Sequence, residues 1–270
     1  MAPRAQPQRR DDQPAFVLHT YPYRETSLIV EAFTPEYGRV AMVARGAKRP
    51  RSELRGLLQG FQPLLLSWSG QHELKTLSRA EWRGGLPLVS GSALLCGFYL
   101  NELLLKLLPR EDAHPQLFAQ YESALAELAA GREQAPVLRR FELGLLTELG
   151  YALPLLREAE TGAAVDPGAR YHYAFDRGPR RSADRADVAD YRPARRNPGA
   201  TAAQSGGRLP LVRGATLLAL AEGRYADAEI AGEAKRLMRE VLDHYLEQRG
   251  VESRRVVQDL QALDEEEGKA

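Results

Sequence analysis

The chain has 270 residues, 37 of them basic and 36 acidic, for a formal net charge of +1, and 44% are hydrophobic, enough for a sizeable core. Its single cysteine, Cys96, excludes an intramolecular disulfide and a cysteine-based metal cluster. The first 14 residues lack the apolar stretch of a secretion signal, and the most apolar segment, 93–108, is too short and polar to span a bilayer. We therefore expect a cytoplasmic protein with no membrane contact.

The near-zero net charge hides an alternation along the chain. Residues 1–80 carry +5, residues 81–150 carry −3, residues 151–208 carry +3 and residues 209–270 carry −4. Alternating basic and acidic segments suggest separate surfaces, one for nucleic acid and another for a different partner.

Five short strand patterns dominate the first third of the chain. Residues 1–14 are polar and proline-rich, and we expect them to form a disordered arm. Strands are predicted at 16–21, 27–34, 39–45, 61–68 and 73–81. Five strands in about 70 residues fit a small barrel of the OB type over residues 15–82, with an SH3-like barrel as the alternative.

Helical patterns follow the strands and are interrupted once. Apolar periodicity predicts helices at 90–108, 117–130, 138–149, 212–221 and 226–248. We assign 89–150 and 211–250 to one helical domain, 151–210, rich in glycine, proline and arginine, to an insertion, and 251–270 to a solvated acidic tail. The predicted class is α+β, an OB-fold barrel followed by a helical bundle.

The densest charge cluster lies between the third and fourth predicted strands. Six cations stand against Glu53 alone: Arg39, Arg45, Lys48, Arg49, Arg51 and Arg55. Such a loop presents charge to a polyanion, so a phosphate backbone is the first partner to consider; the alternative is a merely solvated loop. Lys75 and Arg79 on the last predicted strand are further candidates for DNA contact. Tyr37 and Trp68 are candidates for stacking on bases, although apolar strand residues more often face the core.

Motifs for catalysis are absent from the sequence. There is no P-loop, no G-x-S-x-G and no H-E-x-x-H, and the five histidines have no metal-ligand spacing. We therefore predict no catalytic residues and no enzyme activity. A nuclease would need a carboxylate cluster, which the sequence does not supply.

The order of several motifs resembles the bacterial RecO family of recombination mediators. The resemblance covers roughly residues 15–250. It is carried by TSLIVEAFTPEYGRVAMVARGAKRPRS (26–52), by FQPLLLSWSG and ELKTLSRAE within 61–81, and by YLNELLLKLLP (99–109), LFAQY (117–121) and RRFELGLLTELGY (139–151).

This resemblance implies a function and a set of partners. The protein would bind single- and double-stranded DNA, anneal complementary strands and act near the nucleoid. With RecR and RecF it would help to load RecA on DNA coated by single-strand-binding protein (SSB). The alternative is a scaffold of a repair complex in which DNA binding is secondary. Arg139 and Arg140 are candidates for holding the acidic SSB C-terminal tail; they could equally be a solvated helix start.

The resemblance also implies a zinc-finger-like insertion, and here the sequence departs from the family. Its two C-x-x-C pairs would fall near Glu158 and Thr161 and near Ser182 and Arg185, and none of these is cysteine. We therefore expect no zinc and no other cofactor. Packing of the insertion should depend on aromatic and aliphatic side chains: Tyr151, Leu153, Leu155, Tyr171, Tyr173 and Phe175.

Overall fold

The computed structural model describes residues 9–175, 177–182, 210–225, 227–246 and 251–253. The chain divides into two compact units, residues 1–134 with 251–270, and residues 135–250. The boundary falls inside the segment that we assigned to one helical domain, so the first two long helices belong with the barrel.

Five strands of the first unit form a closed barrel. They are β1 (Arg9–Tyr23), β2 (Ser27–Thr34), β3 (Gly38–Ala44), β4 (Pro63–Ser69) and β5 (Leu74–Trp82), with the short helix α1 (Leu54–Leu57) between β3 and β4. The strand order is β1-β2-β3-β5-β4, and β4 returns to β1. Alternate residues face inwards and form the core, including Val30, Met42 and Leu66. The prediction of an OB-type barrel is confirmed.

The first strand is longer than the sequence pattern indicated. Residues 9–14, which we assigned to a disordered arm, form the first part of β1, so that assignment is wrong for them; residues 1–8 lie outside the described part of the chain. The polar pair Asp11 and Asp12 masked the strand. Pairing with β4 provides backbone hydrogen bonds for these residues, and the Ser67 hydroxyl accepts a hydrogen bond from the backbone amide of Asp12 at 3.0 Å.

Two helices complete the first unit, α2 (Ser92–Leu107) and α3 (Pro115–Ala129). The outer face of the barrel presents Phe16 and Phe33 to the rings of Phe118 and Tyr121, with centroids 5.2–6.1 Å apart. Asn101 of α2 donates to the Leu18 carbonyl at 2.8 Å. Aromatic packing and this buried amide hold the helices against β1 and β2.

The described residues of the second unit form three helices and a small sheet. The helices are α4 (Gln134–Glu148, from Ala135 onward), α5 (Gly214–Glu222) and α6 (Ala228–Tyr245). The sheet has the order β7-β6-β8, with β6 (Arg170–Ala174), β7 (Gly178–Arg181) and β8 (Leu211–Arg213). Because β8 pairs with β6, the insertion extends to residue 213 and the following helix begins at Gly214.

The predicted solvated tail begins with ordered residues. Val251 is buried, and the backbone amides of Glu252 and Ser253 donate to the Glu102 carboxylate of α2 at 2.7 and 2.8 Å. The prediction is therefore wrong for 251–253, because this carboxylate captures their amides; the acidic run 264–267 lies outside the described residues. No helix in the described part of the chain is long and apolar enough to cross a membrane.

Gly38 offers a direct test of how the barrel is joined to the segment after α2. Its φ is +58°, and a Cβ atom built there would lie 1.8 Å from the Asp112 carbonyl oxygen. We expect Gly38→Ala to lower the free energy of unfolding by roughly 3 kcal/mol or more, since left-handed strain and a backbone clash combine.

The matched control for this change is Gly84→Ala. Gly84 also has positive φ, +80°, but a Cβ there would meet nothing within 4 Å. It should cost only the left-handed penalty, about 1–2 kcal/mol. Denaturant unfolding measures both; equal losses would show that the Gly38–Asp112 approach is not a constraint.

Candidate nucleic-acid interface

Strand direction sorts the loops of the barrel into two opposite ends. β3 and β5 run parallel, and β2 is antiparallel to β3. The turn 24–26, the loop 45–53, helix α1 and the end of β5 therefore lie at one end. The turn 35–37, the turn 70–73 and the start of β1 lie at the other; β3 itself is about 20 Å long. The sequence-predicted DNA contacts are divided between these ends.

One end carries a cluster of exposed cations, which we call the basic end. Its members are Arg24, Arg45, Lys48, Arg49, Arg51 and Arg55. Two exposed acids, Glu25 and Glu53, accompany them. Among the described residues none of the six cations forms an ion pair, so their charge is available to an anion in solution.

The loop of the basic end is built from successive turns. The amide of Arg49 donates to the Gly46 carbonyl at 3.0 Å, and the amide of Ser52 donates to the Arg49 carbonyl at 3.0 Å. The amide of Lys48 donates to the Thr26 carbonyl at 2.9 Å and joins the loop to the β1–β2 turn. This contact brings Arg24 to the cluster. Sequence reasoning missed Arg24 because it lies some twenty residues before the loop.

Arg39 belongs to a buried ion cluster instead of the basic end. Glu31 is 2% exposed; Arg39 Nη1 lies 3.6 Å from its Oε2, and Arg110 hydrogen-bonds its Oε1. Burial lowers the pKa of Arg39, and the charge of Glu31 opposes that shift. The guanidinium neutralises a buried carboxylate, which leaves it a poor candidate for DNA contact.

The opposite end, which we call the pocket end, holds a depression of about 160 Å³. Its lining residues are Arg10, Glu36, Tyr37, Val40, Trp68, Gly70, Lys75 and Glu111. Lys75 Nζ lies 2.6 Å from Glu111, and the Arg10 guanidinium lies over the Tyr37 ring at 4.9 Å. Lys75 and Arg10 therefore already have partners, and the pocket is lined by both basic and acidic side chains.

The structure separates the two proposed stacking residues from the solvent-facing cations. Trp68 is 2% exposed within the barrel core, which favours the alternative, a core residue, over base stacking. Tyr37 is half-buried and packs edge-on against Trp68, with ring centroids 5.4 Å apart.

Arg79, a further candidate for DNA contact, is exposed on the outside of β5. Its guanidinium nitrogens lie 3.6 Å from Asp12 Oδ1 and 2.5 Å from Glu81 Oε1.

The arginine pair of α4 also divides. Arg139 is buried and bonded to Glu142, which is fully buried. Arg140 is exposed on another side of the helix, as expected for neighbours about 100° apart. Arg139 is thus a structural cation of the second unit, and Arg140 is the member that faces solvent.

Comparison with known proteins assigns the family. A family model described as "Recombination protein O N terminal" matches residues 10–86, and one described as "Recombination protein O C terminal" matches residues 89–255. The chain is 51% identical over 259 residues to the DNA repair protein RecO of Aromatoleum aromaticum, covering 96% of this chain and 100% of that protein. It is 49% identical to that of an Azoarcus species, covering 95% and 98%, and 46% identical to that of Nitrosospira multiformis, also covering 95% and 98%.

The chain belongs to the RecO family. It is therefore a DNA repair and recombination mediator protein, not an enzyme. Both halves of the chain match, so the membership applies to the barrel and to the second unit alike.

The zinc-finger-like part of the RecO resemblance does not fit a metal in this chain. Glu158 and Thr161 are described, as is Ser182, while Arg185 lies outside the described residues. The described residues contain no group of three or more histidine, cysteine, aspartate or glutamate side chains that could hold a metal. Threonine and serine hydroxyls do not replace the thiolates of a structural zinc site.

A polar cluster lies where the first metal-ligand pair would be expected. The Glu158 carboxylate accepts hydrogen bonds from Thr161 Oγ1 at 2.7 Å and from the Tyr171 hydroxyl at 3.1 Å. Arg181 Nη1 lies 3.5 Å from Glu158 and Nη2 3.0 Å from Asp166. The bond from Thr161 is the main cause that lowers the pKa of Glu158. Sequence reasoning anticipated the buried Tyr171 and Tyr173 but missed this cluster.

The different roles of Arg39 and Arg45 predict opposite effects of alanine. Arg39→Ala should lower the free energy of unfolding by roughly 2 kcal/mol, less than the 3–5 kcal/mol for a wholly unpaired buried charge, because Arg110 remains. The salt dependence of DNA binding should be the same in Arg39→Ala as in the parent protein. Arg45→Ala should leave stability unchanged and lower the salt slope on single strands by about 0.7. Denaturant unfolding and DNA titrations at several salt concentrations measure both; the reverse pattern would refute the assignment.

The polar cluster predicts an acid-dependent contribution to stability. A carboxyl whose pKa is depressed in the folded state stabilises it above the unfolded pKa, about 4.3 for glutamate, and loses this effect as pH falls through the folded pKa. Glu158→Gln should therefore lower the melting temperature of the second unit at pH 7, and the difference from the parent should vanish at acidic pH.

Glu160→Gln is the control for that measurement. Glu160 lies on the same turn but is exposed, and it pairs with Arg180. It should melt close to the parent throughout the pH range. A Glu158→Gln deficit that persists unchanged in acid would contradict the role of this carboxylate.

Proposed function

We propose that the protein binds the phosphate backbone of single- and double-stranded DNA at its basic end. The observation that carries the proposal is the set of six exposed cations at one barrel end, none of which has an ion pair among the described residues. Contacts to phosphates follow the strand without reading base sequence, so binding should be general in sequence and sensitive to salt.

Annealing of complementary strands follows from the same chemistry. Two single strands repel each other through their phosphates, and a cationic surface that holds both lowers that repulsion. Base pairing then provides the net free energy. In the cell this activity would act with RecR and RecF to promote RecA loading on SSB-coated DNA, as the RecO resemblance implies, and it would place the protein at the nucleoid.

The basic end can be tested with one variant, in which Arg45, Lys48, Arg49 and Arg51 become alanine. Each phosphate contact contributes about 0.7 to the salt slope on single strands, so the slope should fall by up to about 3. Annealing rates should fall with it. Affinity for single-stranded DNA, measured against salt concentration, gives the slope.

A variant with the same change in charge serves as the control: alanine at Arg224, Lys235, Arg236 and Arg239. These four cations are exposed in the second unit. The control should keep most of the parent slope. A folded loop variant with the parent slope, or a control that loses as much as the loop variant, would contradict the proposed surface.

Arg140 is our candidate for capturing the acidic SSB C-terminal tail. Since Arg139 is committed to Glu142, Arg140 is the arginine of the pair that a carboxylate can reach from solvent. A guanidinium can hold a carboxylate through two parallel hydrogen bonds. The second unit then serves as a scaffold surface for a protein partner, and RecR is a further proposed partner of the protein.

We expect Arg140→Ala to weaken binding of an SSB C-terminal peptide by about tenfold or more, because a hydrogen bond to a charged group contributes about 1.5–3 kcal/mol. Lys235→Ala, an exposed cation on α6, is the control and should bind as the parent does. Fluorescence anisotropy of a labelled peptide measures the affinities. If Arg140→Ala binds normally and the basic-end variant loses the peptide, the tail site belongs to the barrel.

A further inference from the structure

Trp82 is the most exposed aromatic side chain in the described part of the first unit. It is the last residue of β5 and is 61% exposed, although its cross-strand partner Leu64 lies in the barrel core. A single exposed apolar residue is ordinary on a protein surface. Its significance here depends on what surrounds it.

The barrel topology places Trp82 at the basic end. β5 is the parallel neighbour of β3, so the chain leaves both strands in the same direction, at Trp82 and at Ala44. The residue after Ala44 is Arg45, the first cation of the loop. Helix α1, which ends that loop and includes Arg55, packs against β5. Trp82 and the cationic loop therefore lie at the same end of the barrel.

Most other aromatic side chains of the barrel are covered or lie at the other end; Tyr21 of β1 is 45% exposed, and its ring packs edge-on against His19 with centroids 4.4 Å apart. Trp68 is inside the core, and Tyr37 lines the opposite, pocket end. Tyr23 is half-buried near the turn, and the Arg24 guanidinium covers its ring at 5.2 Å. An exposed indole at the same barrel end as cations that have no ion pair among the described residues has the composition of a single-strand site, in which cations hold the phosphates and aromatic faces stack on bases.

We propose that Trp82 stacks on an unpaired base of a nucleic-acid strand whose phosphates lie on the basic end. The proposal rests on the proposed function, because the loop cations must first hold the strand. Bases of a duplex are already stacked on each other, so Trp82 favours single strands, while the cations alone serve duplex DNA. Every base has a π-face, so this contact adds affinity without sequence preference.

Two oligonucleotides separate the base contact from the phosphate contact. One is an oligothymidylate; the other has the same length and the same phosphates but abasic sugars. The parent should bind the oligothymidylate about tenfold more tightly, the effect of one stacked base. Trp82→Ala should bind both equally, at the affinity of the parent for the abasic strand, with an unchanged salt slope.

Two further variants control for loss of surface and for folding. Trp82→Phe keeps a ring and should retain most of the preference for the oligothymidylate. Leu88→Ala removes another exposed apolar side chain, 74% exposed, and should behave as the parent. Circular dichroism checks the fold of each variant before titration.

The outcomes distinguish this inference from the proposed function. If Trp82→Ala keeps the parent preference for bases, or if the parent has no preference, the stacking contact is overturned while a normal salt slope leaves the basic end intact. If the parent binds neither oligonucleotide in a salt-dependent manner, the proposed function fails as well. If Trp82→Ala binds DNA normally but no longer binds RecR, the indole is a protein contact and the inference is wrong.

Discussion

The pairing of β3 with β5 closes the barrel, and the placement of every candidate side chain depends on that closure. Closure fixes which residues face the core and gives the loops only two ends at which to emerge. The parallel register of β3 and β5 then brings the loop 45–53 and the end of β5 to one end. Tyr37 and Lys75 line the pocket at the other end. Candidate residues that are close in sequence, such as Tyr37 and Arg45, therefore lie at opposite ends of the barrel.

The division gives chemically similar residues different tasks. Arg39 lies in β3 and Arg45 directly follows that strand, yet the first neutralises the buried Glu31 and the second is exposed to solvent. Arg139 and Arg140 are adjacent and divide in the same manner. In each pair one arginine is held by a carboxylate of its own unit, and the other is exposed to solvent. A cation that already neutralises a buried carboxylate is a poor candidate for binding an acidic partner.

Alternation of apolar residues was enough to predict five strands, their barrel and the five long helices, because hydrophobic periodicity is a local property. The start of β1 escaped notice since its stabilising partner, β4, is some fifty residues away. The candidate site was predicted in part. The loop cations from Arg45 onward were found from their density, whereas the position of Trp82 at the same barrel end follows only from the parallel pairing of distant strands. The polar cluster around the Glu158 carboxylate could not be predicted from the sequence, because its partners come together only in the folded protein.

The central claim is that DNA occupies the basic end of the barrel and leaves the pocket end free. Hydrogen–deuterium exchange of the parent protein, with and without saturating single-stranded DNA, tests it most directly. Our account predicts slower exchange of the amides in 24–26 and 45–56 and unchanged exchange in 35–38 and 70–75. Protection of the second pair of segments, with the first pair unchanged, would contradict it and place the strand at the pocket end.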